Sequence, residues 1–233
     1  MQKKLNEYPN FLVEDIELKS TIRAKVRTSK GYEVFKRSID IIFASIGLIV
    51  ASPIFLLLKV FYLFGESKGP LFFKQKRYGK GGEKFTIYKI RSMVVNADEK
   101  LRANKELYEK YVLNNYKLDQ NEDLRITKFG RFLRRTSIDE LPQLINVLKG
   151  DMSIVGPRPI VDEELLEYKH LKDDFLSVKP GITGYWQVSG RSEVGYPERV
   201  KLELYYVYHQ SLLLDIKIIL KTVGVVFLKK GAY

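Results

Sequence analysis

A chain of 233 residues is long enough for one domain with a real core, or a domain plus a small extra element, and a hydrophobic content of 45% excludes general disorder. The absence of Cys excludes disulfides, thiol catalysis and a cysteine zinc site, and His170 and His209 are too few for a histidine-rich metal centre, so any metal is a hard one on oxygen ligands, Mg2+ above all. A net charge of +12 implies an anionic partner: nucleic acid, anionic lipid or a phosphorylated substrate.

Residues 1–37 read as a basic N-terminal arm with some helix potential and no core pattern. Its basic half suits anionic lipid headgroups or plain solvation. Residues 38–65, SIDIIFASIGLIVASPIFLLLKVFYLFG, are almost unbroken apolar sequence, longer than the ~20 residues a bilayer span requires. They follow a polar arm, whereas a signal peptide begins at the N-terminus and ends in a small-residue cleavage site. Ser52-Pro53 lies near the middle. Proline removes a backbone donor and clashes with the preceding turn, so a kink or break is expected there. Basic residues flank both ends, with Lys30, Lys36 and Arg37 before and Lys59, Lys68, Lys74, Lys76 and Arg77 after. Lys and Arg hold their flank on the cytoplasmic side, so both ends want the same side. A re-entrant helix-break-helix is expected over a straight span or a buried core helix, with the Ser52 hydroxyl as a partner for the freed backbone.

In residues 69–93, two strand-like runs, 71–75 and 84–91, flank Gly79, Gly81 and Gly82, which predicts a β-hairpin. The glycine turn leads from strand to strand and lacks phosphate-loop spacing. Residues 96–117 read as a polar, exposed helix. Phe129, Phe132 and Leu133 then make an apolar stripe, while Arg131, Arg134 and Arg135 share one face of a short helix. LPQLINVLKGDM predicts another helix, stopping at Gly150, and GPRP after it demands extended, turn-like backbone. Residues 178–195 form a loop region of Gly, Pro and Ser around Trp186. The segment 198–230 is helical in pattern. Its first half suits a core helix or the membrane interface equally, and Asp215, Lys217 and Lys221 make the remainder an interfacial helix, not a span.

RRTSIDELPQL, residues 134–144, sets two adjacent acids in this basic setting. Ser137 and Glu140 match a capping box; alternatively Asp139 caps a helix that carries Pro142 in its first turn. Neither arrangement accounts for both acids. A carboxylate can attack phosphorus to give an acyl phosphate. Two anions tolerate a phosphate only where Arg, Lys or Mg2+ neutralises charge, and Arg131, Arg134, Arg135 and Arg158 are near in sequence or motif.

The blocks PLFFKQKRYGKGGEKFTIYKIRSM, RITKFGRFLRRTSIDELPQLINVLKGDMSIVGPRP, KPGITGYWQVSGR and SLLLDIKIILKTV resemble the bacterial sugar transferase family. These are the monotopic polyprenyl-phosphate phosphoglycosyltransferases that begin capsule, exopolysaccharide, O-antigen and glycoprotein glycan assembly. The resemblance implies transfer of a sugar-1-phosphate from a UDP-sugar to polyprenyl (undecaprenyl) phosphate, with release of UMP, on the cytoplasmic face of the bacterial inner membrane. By motif position it implies Asp139 as the nucleophile of a ping-pong reaction through a phosphosugar-Asp139 intermediate, and Glu140 as the Mg2+ ligand. Lys89, Arg91, Arg134, Arg158 and Arg191 are implied as phosphate or nucleotide contacts. Ser52 and Pro53 match the family's re-entrant membrane helix. Ser92 stands where Thr is frequent, and Glu203 where an Asp is expected. The expected fold is α/β: a small sheet or hairpin with surrounding helices, residues 66–233 being the cytoplasmic catalytic domain with a C-terminal interfacial helix. A homodimer and downstream glycosyltransferases are candidate partners, and nucleic acid is not expected. The alternative is a non-catalytic membrane-bound relative that binds polyprenyl phosphate or partner enzymes; the intact acid pair argues against it.

Overall fold

The computed structural model describes residues 28–114, 118, 123–190 and 194–228, with side chains up to residue 224. Most of the expected basic arm, and Arg191, lie outside the described residues. In chain order the elements are α1 (Lys30–Phe61), β1 (Phe72–Tyr78), β2 (Lys84–Ile90), α2 (Ala97–Ala103), α3 (Lys105–Leu113), α4 (Lys128–Arg135), α5 (Gln143–Lys149), β3 (Ser153–Val155), α6 (Asp162–Leu165), α7 (Lys172–Phe175), β4 (Gly181–Thr183), α8 (Tyr185–Ser189), α9 (Glu198–Tyr208) and α10 (Leu212–Leu228). This is a mixed arrangement of helices around two small sheets: an antiparallel β1–β2 hairpin and a parallel β3–β4 pair.

The apolar segment forms one helix of 32 residues that starts on Ser29, whose hydroxyl accepts the Tyr32 amide. The expected division into two helices at Ser52-Pro53 is corrected: α1 runs through Pro53. The reason is local. Proline leaves the carbonyl four residues before it, that of Ile49, without its helical donor. Ser52 Oγ donates to that carbonyl at 2.8 Å.

The face of α1 turned to the protein carries its smallest side chains. Asp40, Ala44 and Ala51 are buried there, and a Cβ on Gly47 would stand 2.8 Å from Leu144 Cδ1. Ile42, Phe43, Ile46, Ile49, Val50, Leu56, Leu57 and Phe61 point outward, each at least half exposed. Asp40 accepts from Ser153 Oγ at 2.9 Å and the Ile154 amide at 2.8 Å, which ties α1 to β3. Ala44 packs with Ile87, Val147 and Met152; further along, Leu58 and the following Tyr62 pack with Ile90 and Leu133. Both halves of the helix therefore rest on one body.

The hairpin appears where expected, in a register running from Phe72↔Ile90 to Tyr78↔Lys84. Asn146 on α5 covers the outer edge of β2, donating to the Thr86 carbonyl at 2.7 Å and accepting the Tyr88 amide at 3.1 Å. This satisfies an edge that would otherwise be open to pairing. The helix α5 ends at Gly150 with φ 88°, as its sequence predicts. The polar helix of residues 96–117 is two helices, because Asn104 stops the first and caps the second through the Leu107 amide.

The region read as a loop over residues 178–195 contains β4 and α8 instead. Parallel pairing of Ser153 with Gly181 and Val155 with Thr183 brings two backbones into direct contact. A Cβ on Gly181 would lie 2.1 Å from the Gly156 nitrogen, so only glycine fits. That contact sets the GPRP loop beside α8. The first half of segment 198–230 proves to be core: α9 buries Val200, Leu204 and Val207 against Ile160, Tyr168 and Phe175. The helix α10 buries Ile218 and Asp215 and exposes Leu213, Ile216, Leu220 and Val223.

Candidate active site

The acids lie on a single 3-10 turn, Ile138–Glu140, between α4 and α5. Ser137 before it has φ 57°, a left-handed conformation uncommon outside glycine, which turns the chain sharply out of α4. Neither expected cap forms: the Ser137 side chain caps nothing, and α5 begins on Pro142 with no side-chain cap. Glu140 turns to Lys89 instead, whose Nζ donates to Oε1 at 2.8 Å. Asp139 is 8% exposed. Burial first, then the neighbouring Glu140, pushes its carboxyl up to about 6; the charges of Lys89 and Arg134 act against that rise.

Glu140 opens onto a narrow pocket, lined also by Lys89, Arg77, Arg158, Gln143 and Gln187. Each comes from a different element for a physical reason. Lys89 follows Ile87 by two residues on β2, so both face the same side of the hairpin. Arg158 is carried by the GPRP loop, its amide donating to Glu203 Oε1 at 3.1 Å and its guanidinium 6.0 Å above the Trp186 ring. Arg134 sits in the last turn of α4 and donates from Nε to Ser92 Oγ at 2.8 Å. A threonine hydroxyl would serve the same bond, so the Ser92 departure changes little.

Arg91 receives a different task from the one expected. Its Nε donates to the Pro70 carbonyl at 2.8 Å, Nη1 to that of Met93 at 3.0 Å, and Nη2 to that of Ser67, while the guanidinium stacks over Tyr62. With each nitrogen on backbone, it joins the end of α1 to the hairpin and is not turned to the acids. Arg191 lies outside the described residues.

Behind Arg158 is a buried ionic cluster. Glu203 is 1% exposed and accepts from the Tyr168 hydroxyl, the Arg158 amide and Arg199. Burial raises its carboxyl. Glu164 pairs with Arg199 at 2.8 Å and Arg77 at 3.2 Å. Burial alone would raise its carboxyl as well, but Arg199 and Arg77 bring it down to about 2. The glutamate at 203, one methylene longer than the expected aspartate, thus anchors the loop that presents Arg158.

Sequence reasoning missed Arg77, Gln143 and Gln187. Arg77 stood in a basic flank and was read for topology. Glutamines carry no motif of their own, although Gln187 lay inside the KPGITGYWQ block. Among the described residues no cluster of three or more acidic or histidine side chains could hold a metal alone. Two adjacent carboxylates beside a cation-lined cavity do fit Mg2+, which binds through one or two carboxylates and completes its shell with substrate phosphates and water.

The family model described as bacterial sugar transferase matches residues 31–229. The undecaprenyl-phosphate galactose phosphotransferase of Salmonella typhimurium is 47% identical over 201 residues, covering 85% of this chain and 41% of that protein. The exopolysaccharide production protein ExoY of Sinorhizobium fredii is 41% identical over 204 residues, covering 86% of this chain and 88% of that protein. The UDP-glucose:undecaprenyl-phosphate glucose-1-phosphate transferase of Klebsiella pneumoniae is 42% identical over 210 residues, covering 86% of this chain and 42% of that protein. The chain therefore spans less than half the length of some of these relatives and nearly all of another.

Proposed function

The chain belongs to the bacterial sugar transferase family, and from that membership we propose that it transfers a sugar-1-phosphate from a UDP-sugar to polyprenyl phosphate, releasing UMP. The observation that carries the reading is the acid pair: the two acids are adjacent on one turn, Glu140 is met by Lys89, and the Asp139 carboxyl is pushed up to about 6. Such a carboxylate is mostly ionised at neutral pH and more basic than a surface aspartate, hence a better nucleophile.

Asp139 attacks the phosphorus that carries the sugar. The bond from that phosphorus to the UMP oxygen breaks, UMP leaves with the electron pair, and the phosphosugar stays on Asp139 as an acyl phosphate. An oxygen of polyprenyl phosphate then attacks the same phosphorus, the Asp139 carboxylate is released, and polyprenyl-diphosphate-sugar forms. Lys89 and Arg134 supply positive charge near the acids, and Arg158 and Arg77 supply it along the cavity, where the donor's phosphates would collect it. Glu140 would hold Mg2+, which when bound neutralises charge on the diphosphate.

The helix α1 supports attachment to a membrane, and the basic flanks at both its ends favour the cytoplasmic face. Its largest side chains form an outward apolar surface and its smallest face the protein, the reverse of a core helix. A straight span of this helix would be ~48 Å long at 1.5 Å per residue. With both halves packed on one body, such a span would draw the polar domain into the bilayer. A bend of the continuous helix at Pro53, bringing both ends to one side, would avoid that cost. A panel of UDP-sugars with undecaprenyl phosphate and Mg2+ tests the reaction. No UMP from any donor overturns it, and so does full activity in Asp139→Ala.

A further inference from the structure

Among the described residues, none supplies a donor to the buried hydrogen-bond acceptor that Gln187 carries. Its Oε1 is out of water and bonded to nothing, and the side chain is 9% exposed. Gln187 is among the residues that line the pocket, with Lys89, Glu140 and Arg158. Buried acceptors in native proteins almost always have a donor, and one left without a donor on a residue that lines a functional pocket points to a partner that arrives with the ligand.

The position is built. The helix α8, which carries Gln187, is anchored next door by Trp186, whose Nε1 donates to the Val194 carbonyl at 3.0 Å. Gly184 at the head of α8 leaves the amide its room. A Cβ there would lie 2.1 Å from the Gly156 carbonyl oxygen and 2.8 Å from Gln187 Oε1.

The chemistry of the acceptor selects what it can meet. A carbonyl oxygen needs an N–H or O–H. The diphosphate of a nucleotide sugar carries no proton at neutral pH, so its oxygens would meet Oε1 as like partial charges, and the cavity's cations suit them instead. The groups left on such a donor are neutral. We propose that Gln187 recognises the nucleotide-sugar donor, its Oε1 accepting a hydrogen bond from a neutral donor group, either a sugar hydroxyl or the uracil imide N–H. This rests on the reading of the chain as a UDP-sugar transferase.

The test compares wild type with Gln187→Met, which keeps the volume and removes the acceptor. Binding of UDP and of a panel of UDP-sugars is measured by calorimetry, alongside KM and kcat for UMP release and the melting temperature. Binding of the preferred donor weakens about 10- to 100-fold, with kcat little changed. Equal weakening of UDP and UDP-sugar assigns the contact to uracil; weakening of particular UDP-sugars with UDP unaffected assigns it to a sugar hydroxyl. If Gln187→Met does not fold, Gln187→Asn, which withdraws the carbonyl by one methylene, must show the same loss. A variant that folds and binds every donor as wild type does overturns the Gln187 assignment alone. A wild-type chain that neither binds nor turns over any UDP-sugar overturns both this assignment and the reaction on which it rests.

Discussion

Lys89 Nζ lies 2.8 Å from Glu140 Oε1, and this ion pair joins the second strand of the hairpin to the acidic turn. Lys89 also lowers the pKa of Asp139, so one cation serves both acids. Replacing it by methionine keeps the stem and removes the charge. Lys89→Met lowers kcat/KM for the UDP-sugar by about 100-fold or more, the scale set by loss of one charge-stabilising group. UMP release under saturating polyprenyl phosphate measures this, and a loss below a few-fold contradicts the role.

The pH dependence follows from Asp139. A nucleophilic carboxylate acts only when ionised, and its pKa is pushed up to about 6. Turnover therefore rises with pH through about 6 and levels off above it. In Lys89→Met the opposing charge is gone, so the residual activity inflects at higher pH. A wild-type profile that is flat between about pH 5 and 7 counts against Asp139 as the ionising group.

Stability runs the other way. The folded pKa of Asp139 lies above its ordinary 3.8, so the folded state holds the proton more tightly than the unfolded one. Stability contributed by the protonated acid is present below about pH 4, declines as pH rises to about 6, and stays lost above. Asp139→Asn removes the cost of ionising a buried acid. It abolishes turnover and stabilises the fold at neutral pH by roughly 1–2 kcal/mol, with the difference vanishing near pH 4. Thermal melts at the two pH values check this; equal melting temperatures at neutral pH contradict it.

The Ser52-Pro53 pair makes a double-mutant test. Ser52→Ala leaves the Ile49 carbonyl without a donor and destabilises the protein by about 1 kcal/mol. In Pro53→Ala the amide at position 53 can bond that carbonyl itself, so the further change Ser52→Ala costs nothing measurable. Melts in one detergent suffice, and additive effects would sink the account.

Glu203 ties the Arg158 loop to α9. Glu203→Gln removes a buried charge facing Arg199 and perturbs the bond to the Arg158 amide. Arg199 keeps Glu164, so the loss of stability is about 2 kcal/mol, below that of an isolated broken pair. The donor KM rises with it, because the loop presenting Arg158 loosens. A changed melting temperature with an unaltered KM would leave Glu203 as a purely structural residue.

Local signals carried much of this molecule. The alternating runs around Gly79, Gly81 and Gly82 specified the hairpin, Gly150 the end of α5, and the unbroken apolar run α1, because backbone geometry and neighbouring side chains decide each within a few residues. The acid pair stood out for the same reason: no local structure needed both carboxylates. The Ser52 hydroxyl was legible as a partner for the backbone that Pro53 frees, and it bonds the Ile49 carbonyl; that α1 then runs on through Pro53 as one helix was decided by packing beyond the local sequence.

The membership of the site was not local. Lys89 and Glu140 are 51 residues apart in sequence, and their meeting depends on how the hairpin seats against α5. Arg91 and Arg158 read alike as arginines in blocks that carry the family resemblance, yet packing turns one to backbone carbonyls beneath α1 and the other to the pocket. Arg77 and Gln187 came into view only with the fold. Sequence by itself determined which elements form and that two acids sit among cations. Tertiary structure decided which side chains face those acids, since the direction of a side chain into a shared cavity is set by contacts between elements far apart in the chain.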